Sequence, residues 1–142
     1  MMSIPLPGHV HGTTRSDPYE IEAAFPITPQ YRSLIGLDIE GSTSRTNVER
    51  YRVRRVMYDL LEQALKAVGI GDGFRDRWVD RGDGIIVPVH PVNQAPKTLL
   101  LAHLMPTLSL LLTEHNSEHE TEQPLRMRAV MHAGEVHYDE HN

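Results

Sequence analysis

The apolar residues Val53, Val56, Met57, Leu60, Leu61, Ala64, Leu65 and Val68 recur by threes and fours. That step marks one face of an α-helix, and such a helix must bury its stripe against another surface. Gly69, Gly71 and Gly73 follow, which predicts the helix end near Val68. Upstream, Leu34, Ile35, Leu37 and Ile39 make the short apolar run of a buried strand over 31–39. The small residues Gly41, Ser42, Thr43 and Ser44 turn the chain between strand and helix.

The rest of the chain alternates in the same way. Residues Arg75 to Val89 read as a β-hairpin, with Trp78 and Val79 in its first strand, a turn at Arg81-Gly82-Asp83-Gly84 and a second strand over 85–89. Pro88 and Pro91 limit its pairing at the far end. A second helix is predicted from about Ala95 to His115, with Pro96 suited to its first turn and Pro106 expected to kink or divide it. Residues 116–124 read as a polar surface loop, and Arg126 to Val136 as a last strand, central in the sheet. The order β-α-β-β-α-β predicts an α/β (α+β) fold of ferredoxin-like type, an antiparallel sheet with both helices on one face.

Residues 1–30 contain Pro5, Pro7, Pro18, Pro26 and Pro29 without a sustained apolar period, which predicts a loose arm ahead of one domain over 31–142. His9 and His11 lie in that arm and read as solvated side chains. The net charge of -5 provides no global basic field for nucleic acid. The absence of cysteine excludes disulfide and thiol chemistry, and no basic segment followed by an apolar run opens the chain, so a cytoplasmic location is expected. The most apolar stretch, Leu99 to Leu112, is interrupted by His103, Pro106, Thr107 and Ser109 and is shorter than the roughly 20 residues a bilayer requires. It is expected to be a buried helix, with no membrane partner.

Two carboxylates stand where a cation site would want them. Asp38 lies at the end of the first strand and Asp83 at the hairpin tip, and pairing of that strand with the hairpin would bring the tips together. Oxygen ligands on loop tips suit Mg²⁺ or Mn²⁺. The turn Gly41 to Ser44 would offer main-chain N–H groups to an anion at a helix start. Taken singly, each aspartate has a plainer reading, because Asp favours turns and Asp-Gly favours hairpins.

The segments Leu37-Asp38-Ile39-Glu40-Gly41-Ser42-Thr43, Asp80-Arg81-Gly82-Asp83-Gly84 and Arg128-Ala129-Val130-Met131-His132-Ala133-Gly134-Glu135-Val136 resemble, in order, three motifs of the class III adenylate and guanylate cyclases, the bacterial members above all. The resemblance implies that Asp38 and Asp83 hold two divalent cations with the Ile39 carbonyl. It implies that the main chain from Glu40 through Gly41, Ser42 and Thr43 to Ser44 holds the β- and γ-phosphates of a nucleoside triphosphate. It further implies cyclisation to a cyclic nucleotide with release of pyrophosphate, in a homodimer or a heterodimer with another cyclase domain.

The chain departs from that pattern in three places. The position that often carries a base-reading Lys or Glu is Val79, and Asp80 beside it would face the other way on a strand. The position usually held by Phe after the first-motif glycine is Ser42. The family's later elements, which bring an Asn and an Arg to the transition state, have no matching positions after Val136. This chain by itself is therefore expected to turn over little substrate.

The arginines Arg45, Arg50, Arg52, Arg54 and Arg55 read as a solvated face of the first helix, and His115, Glu118, His119, Glu120 and Glu122 as part of a polar loop. His132 is expected to be half-buried on the sheet and Trp78 to belong to the core. Three functions follow from these observations: a nucleotidyl cyclase, a non-catalytic nucleotide-binding or dimerisation module derived from one, and another palm-like nucleotidyl transferase.

Overall fold

The computed structural model describes residues 28–138. The arm at 1–27, with His9 and His11, lies outside the described residues, as do residues 139–142. Strand β1 (Gln30–Ile39) begins one residue before the expected domain start and leads through a tight 3₁₀ turn, Ser42–Ser44, to helix α1 (Asn47–Ala67). Strands β2 (Val79–Asp80) and β3 (Gly84–Val89) form the hairpin. Helix α2 spans 97–118, and β4 is Met127–Val136. The strands form one antiparallel sheet in the order β2-β3-β1-β4. The fold is thus mixed α and β, a four-stranded antiparallel sheet with two helices.

Alternation along β1 explains how the layers are held. Ser33, Ile35, Leu37 and Ile39 are buried. The three apolar ones join Ile85, Val87 and Val89 of β3 and the α1 stripe Val53, Met57, Leu60, Leu61, Ala64 and Leu65 in one cluster. Leu100, Leu104 and Leu108 of α2 close it. The even-numbered residues Leu34, Gly36 and Asp38 face the other side, with Ile86, Arg128 and Val130 as their cross-strand partners or neighbours.

α1 starts at Asn47 because Thr46 caps it. The Thr46 hydroxyl accepts the Glu49 N–H at 3.3 Å, and the Glu49 carboxylate accepts the Thr46 N–H at 2.8 Å. Arg45 therefore precedes the helix and is buried rather than part of a solvated face, its guanidinium reaching the Pro124 carbonyl at 3.3 Å. Arg50, Arg52 and Arg55 are exposed, as expected for a solvated face, and Arg54 is half-buried. Arg52 pairs with Glu122, Arg54 with Asp80, and Arg50 turns back onto the 3₁₀ turn.

Pro106 does not divide α2. The turn ahead of it, Leu100–Leu104, widens to a π-helix, in which the Met105 N–H reaches the Leu100 carbonyl, and Met105–Glu118 continues as α-helix. A π turn changes the carbonyl that the proline ring must avoid, so the helix passes through. α2 also extends into the expected loop, to Glu118, and Asn116 secures its end by bonding both the N–H and the carbonyl of Leu125 at 2.8 and 2.9 Å. Its apolar stretch is only half buried, since Leu101 and Leu110 are exposed. Among the described residues no helix is long and apolar enough to cross a membrane.

The last strand is an edge strand, not a central one, and it starts at Met127 rather than Arg126. It pairs along its whole length with β1, and Val130 and His132 are exposed. Alternating apolar residues report which face of a strand is covered, and they carry no information on how many neighbours it has. Trp78 is half-buried at the margin of the core, stacked on Tyr58 with 5.3 Å between ring centroids.

The sheet end remote from Asp38 is tied together by Asp76. Its carboxylate accepts from Arg32 Nε of β1 at 2.7 Å, contacts His90 Nε2 at 2.6 Å and accepts the Tyr138 hydroxyl. Burial opposes ionisation of Asp76, but hydrogen bonds from Tyr138, Arg32 and His90 outweigh it and hold its pKa below the ordinary value. Burial, then the bond to Asp76, pushes Tyr138 up to about 12 from 10.0. A raised folded-state pKa contributes stability that is complete below pH 10.0 and is lost as pH rises through about 12. Urea denaturation across that window should therefore show wild type losing more stability than Tyr138→Phe; parallel losses would detach Tyr138 from the folded structure.

Candidate functional site

Asp38 and Asp83 meet at the end of the sheet. Asp38 pairs in register with Gly84, and the Ile39 N–H donates to the Asp83 carbonyl at 3.0 Å. Gly84 permits this approach, because a Cβ there would lie 2.8 Å from the Leu37 carbonyl oxygen and 3.2 Å from Asp38 Cβ. Gly41 starts the 3₁₀ turn with φ 70°, a backbone region that favours glycine.

The turn is bonded to the hairpin tip through the Ser42 side chain, whereas the resemblance implies only its main chain. The Ser42 hydroxyl donates to Asp83 Oδ2 at 2.8 Å, and Ser42 is buried. Arg50, from the first turns of α1, donates from Nε to the Ser42 carbonyl at 2.8 Å and from Nη2 to the Thr43 carbonyl at 3.0 Å. The Ser44 hydroxyl and N–H both return to the Gly41 carbonyl, at 2.8 and 3.2 Å. The expected anion site at a helix start is thereby altered. The N-terminus of α1 lies beyond the turn and already carries the Glu49 carboxylate as its cap, so main-chain N–H groups for an anion have to come from the 3₁₀ turn itself.

Two concavities flank the Asp83 tip. One, about 470 Å³, lies on the open face of the sheet between Gly36, Asp38, Asp83, Ile86, Arg128 and Val130. The other, about 490 Å³, lies toward α1 among Ser42, Thr43, Arg50, Arg54, Arg81 and Asp83. Val79 is paired with Ile86 and so faces the open side, while Asp80, paired with Ile85, faces α1 and its partner Arg54. At the base-reading position of the resembled family this chain thus presents the apolar Val79, and the concavity beside Asp38 is lined by apolar Ile86 and Val130 together with Arg81 and Arg128.

Asp38 is engaged by Arg128, whose Nε and Nη2 donate to its two oxygens at 2.9 and 2.8 Å. That bond raises the Arg128 pKa. The pair is exposed to solvent, and exposed pairs exchange readily. Glu40 bonds through its N–H to the Arg126 carbonyl at 2.9 Å and pairs with the Arg126 side chain at 3.2 Å, away from the aspartates' own contacts. Arg50 and Arg128 were missed as site residues because their partners are distant in sequence or main-chain atoms, which leave no local pattern.

Among the described residues no group of three or more His, Asp or Glu side chains is arranged to hold a metal ion. His115 and His119 stack at 4.3 Å between centroids, and His119 Nδ1 contacts the His115 carbonyl at 2.8 Å. A cation at Asp38 and Asp83 would have two carboxylates and would need main-chain, water and phosphate oxygens for the remainder. That set fits Mg²⁺ or Mn²⁺, which are commonly held by one or two carboxylates plus substrate phosphates. Comparison with known protein families finds no family model that matches the chain, and no curated protein matches it.

Proposed function

We propose that the chain carries a class III nucleotidyl cyclase-like site, which binds a nucleoside triphosphate with Mg²⁺ or Mn²⁺. The observation that supports it best is the meeting of Asp38, Asp83 and the Gly41–Ser44 turn at one end of the sheet, from segments far apart in sequence. The strand order β2-β3-β1-β4 supports reading the sheet as the ferredoxin-like βαββαβ core of that family.

In this reading Asp38, Asp83 and the Ile39 carbonyl would hold the cations, and the N–H groups of Gly41, Ser42 and Thr43 would receive the phosphates, those of Glu40 and Ser44 being bonded to the Arg126 and Gly41 carbonyls. Two bound cations supply activation of the ribose 3′-hydroxyl and charge neutralisation of the leaving pyrophosphate. The chain's own contribution is placement: the Asp38–Gly84 register fixes the spacing of the carboxylates, and Arg50 fixes the turn. Arg128 would have to release Asp38 for its carboxylate to hold a cation. Among the open-face residues beside Asp38, Ile86 and Val130 offer a base no hydrogen bond, which leaves the choice of base to other contacts.

The bidentate Arg128 pair and those apolar residues also favour a second reading, a non-catalytic nucleotide-binding or dimerisation module of cyclase descent, acting as a homodimer or with another cyclase domain. Thermal melts with Mn²⁺ and each of ATP, GTP, CTP and UTP test the shared claim. The expected result is a rise in melting temperature for wild type that is absent in Asp38→Asn and Asp83→Asn, since a ligand bound only to the folded state stabilises it. An equal rise in all three proteins removes the site. Mass spectrometry of the same mixtures for cyclic nucleotide separates enzyme from module.

A further inference from the structure

We infer that Ser42 is a positioning residue for Asp83, coupling the phosphate turn to the cation site through its hydroxyl. The inference rests on the proposed cation site and adds to it a role for the Ser42 side chain.

The geometry is specific. Ser42 is 7% exposed, and its hydroxyl lies 2.8 Å from Asp83 Oδ2. Its main chain is held independently of that bond. The Ser42 carbonyl accepts from Arg50 Nε at 2.8 Å and from the Arg45 N–H at 3.2 Å. The buried hydroxyl engages Oδ2 of Asp83. A carboxylate that accepts a hydrogen bond from a fixed donor is held in one rotamer, and ligand-orienting bonds of this kind typically contribute 10- to 100-fold to metal affinity. The same residue contributes its backbone to the turn. Phosphate on the turn and a cation on Asp83 are therefore linked through one residue, and each ligand should favour the other.

The test is Mn²⁺ binding to the full chain, read by electron paramagnetic resonance of free Mn²⁺, with and without inorganic tripolyphosphate. Tripolyphosphate supplies the phosphate chemistry without a base. Ser42→Ala should weaken Mn²⁺ binding about 10- to 100-fold and reduce the enhancement by tripolyphosphate. Ser42→Thr, which keeps the hydroxyl, should restore binding to within a few-fold. Ser42→Ala should cost nothing further in an Asp83→Asn background. Melting temperatures without Mn²⁺ separate these effects from damage to the fold, which would lower stability in both backgrounds. Unchanged Mn²⁺ affinity in Ser42→Ala, or equal losses in Ser42→Ala and Ser42→Thr, overturns the inference while leaving the cation site in place. Absence of any Asp83-dependent Mn²⁺ binding in wild type overturns the site, and the inference with it.

Discussion

Glu62→Ala should lower stability by about 2–3 kcal/mol, a drop in melting temperature on the order of 10 °C for a domain of this size. Arg75 lies between α1 and β2 with its side chain 4% exposed. Its Nη1 and Nη2 donate to the two oxygens of Glu62, each at 2.8 Å, and Nη2 also reaches Asp72 at 3.0 Å. Its guanidinium lies over Trp78, 5.4 Å from the ring centroid. Removing Glu62 leaves a buried cation with one exposed carboxylate beside it. The expected loss is below the roughly 3–5 kcal/mol of a fully buried pair because Glu62 is itself about one-third exposed. Urea denaturation measures it. Glu62→Gln should lose less, as its amide oxygen still accepts one bond. Replacing both partners with apolar residues of similar size should recover much of the loss, because the penalty comes from the unpaired charge. The hydrogen bond from Arg75, against the opposing effect of burial, holds the Glu62 pKa below 4.5, so its contribution is present above that pH and fades below it. The deficit of Glu62→Ala should shrink accordingly in acid. A deficit unchanged at low pH would assign the effect to lost packing.

Gly84→Ala should cost about 1–3 kcal/mol and remove the response to Mn²⁺ and tripolyphosphate. A Cβ at this position would lie 2.8 Å from a main-chain oxygen of β1, and backbone cannot swing aside as a flexible side chain can. Strand β3 has to move away from β1 at the level where Asp38 and Asp83 meet. Both effects should therefore appear together in melts with and without Mn²⁺ and tripolyphosphate. The neighbouring Gly82→Ala is a useful comparison: it has φ 84° but nothing within 4 Å of its Cβ, so it should lose stability through backbone strain without spreading the aspartates. Wild-type behaviour of Gly84→Ala would show that the strands approach less closely than their register implies.

Local periodicity determined the elements from sequence alone. The threes and fours from Val53 to Val68 could form only a helix with one buried face, and the structure buries that stripe over Asn47–Ala67. The run Leu34 to Ile39, the hairpin tip at Asp83 and the last strand are each where the apolar alternation and turn residues place them, within a residue or two. The meeting of Asp38 and Asp83 was legible too, because pairing of β1 with the hairpin forces their tips together.

Tertiary structure decided what periodicity does not encode. The edge position of β4 depends on neighbours, whereas alternation reports only faces. The passage of α2 through Pro106 depends on a π turn five residues long, a shift of hydrogen-bond partner with no residue signature of its own. The arginines divide by position: Arg45 is buried against Pro124, Arg50 clamps the Ser42 and Thr43 carbonyls, and Arg128 crosses from β4 to Asp38. In sequence these are interchangeable charges on or beside polar stretches. Each acquires its role from a partner brought close by the packing of sheet and helices, and a guanidinium is long enough to reach main-chain and side-chain acceptors that no local spacing connects to it.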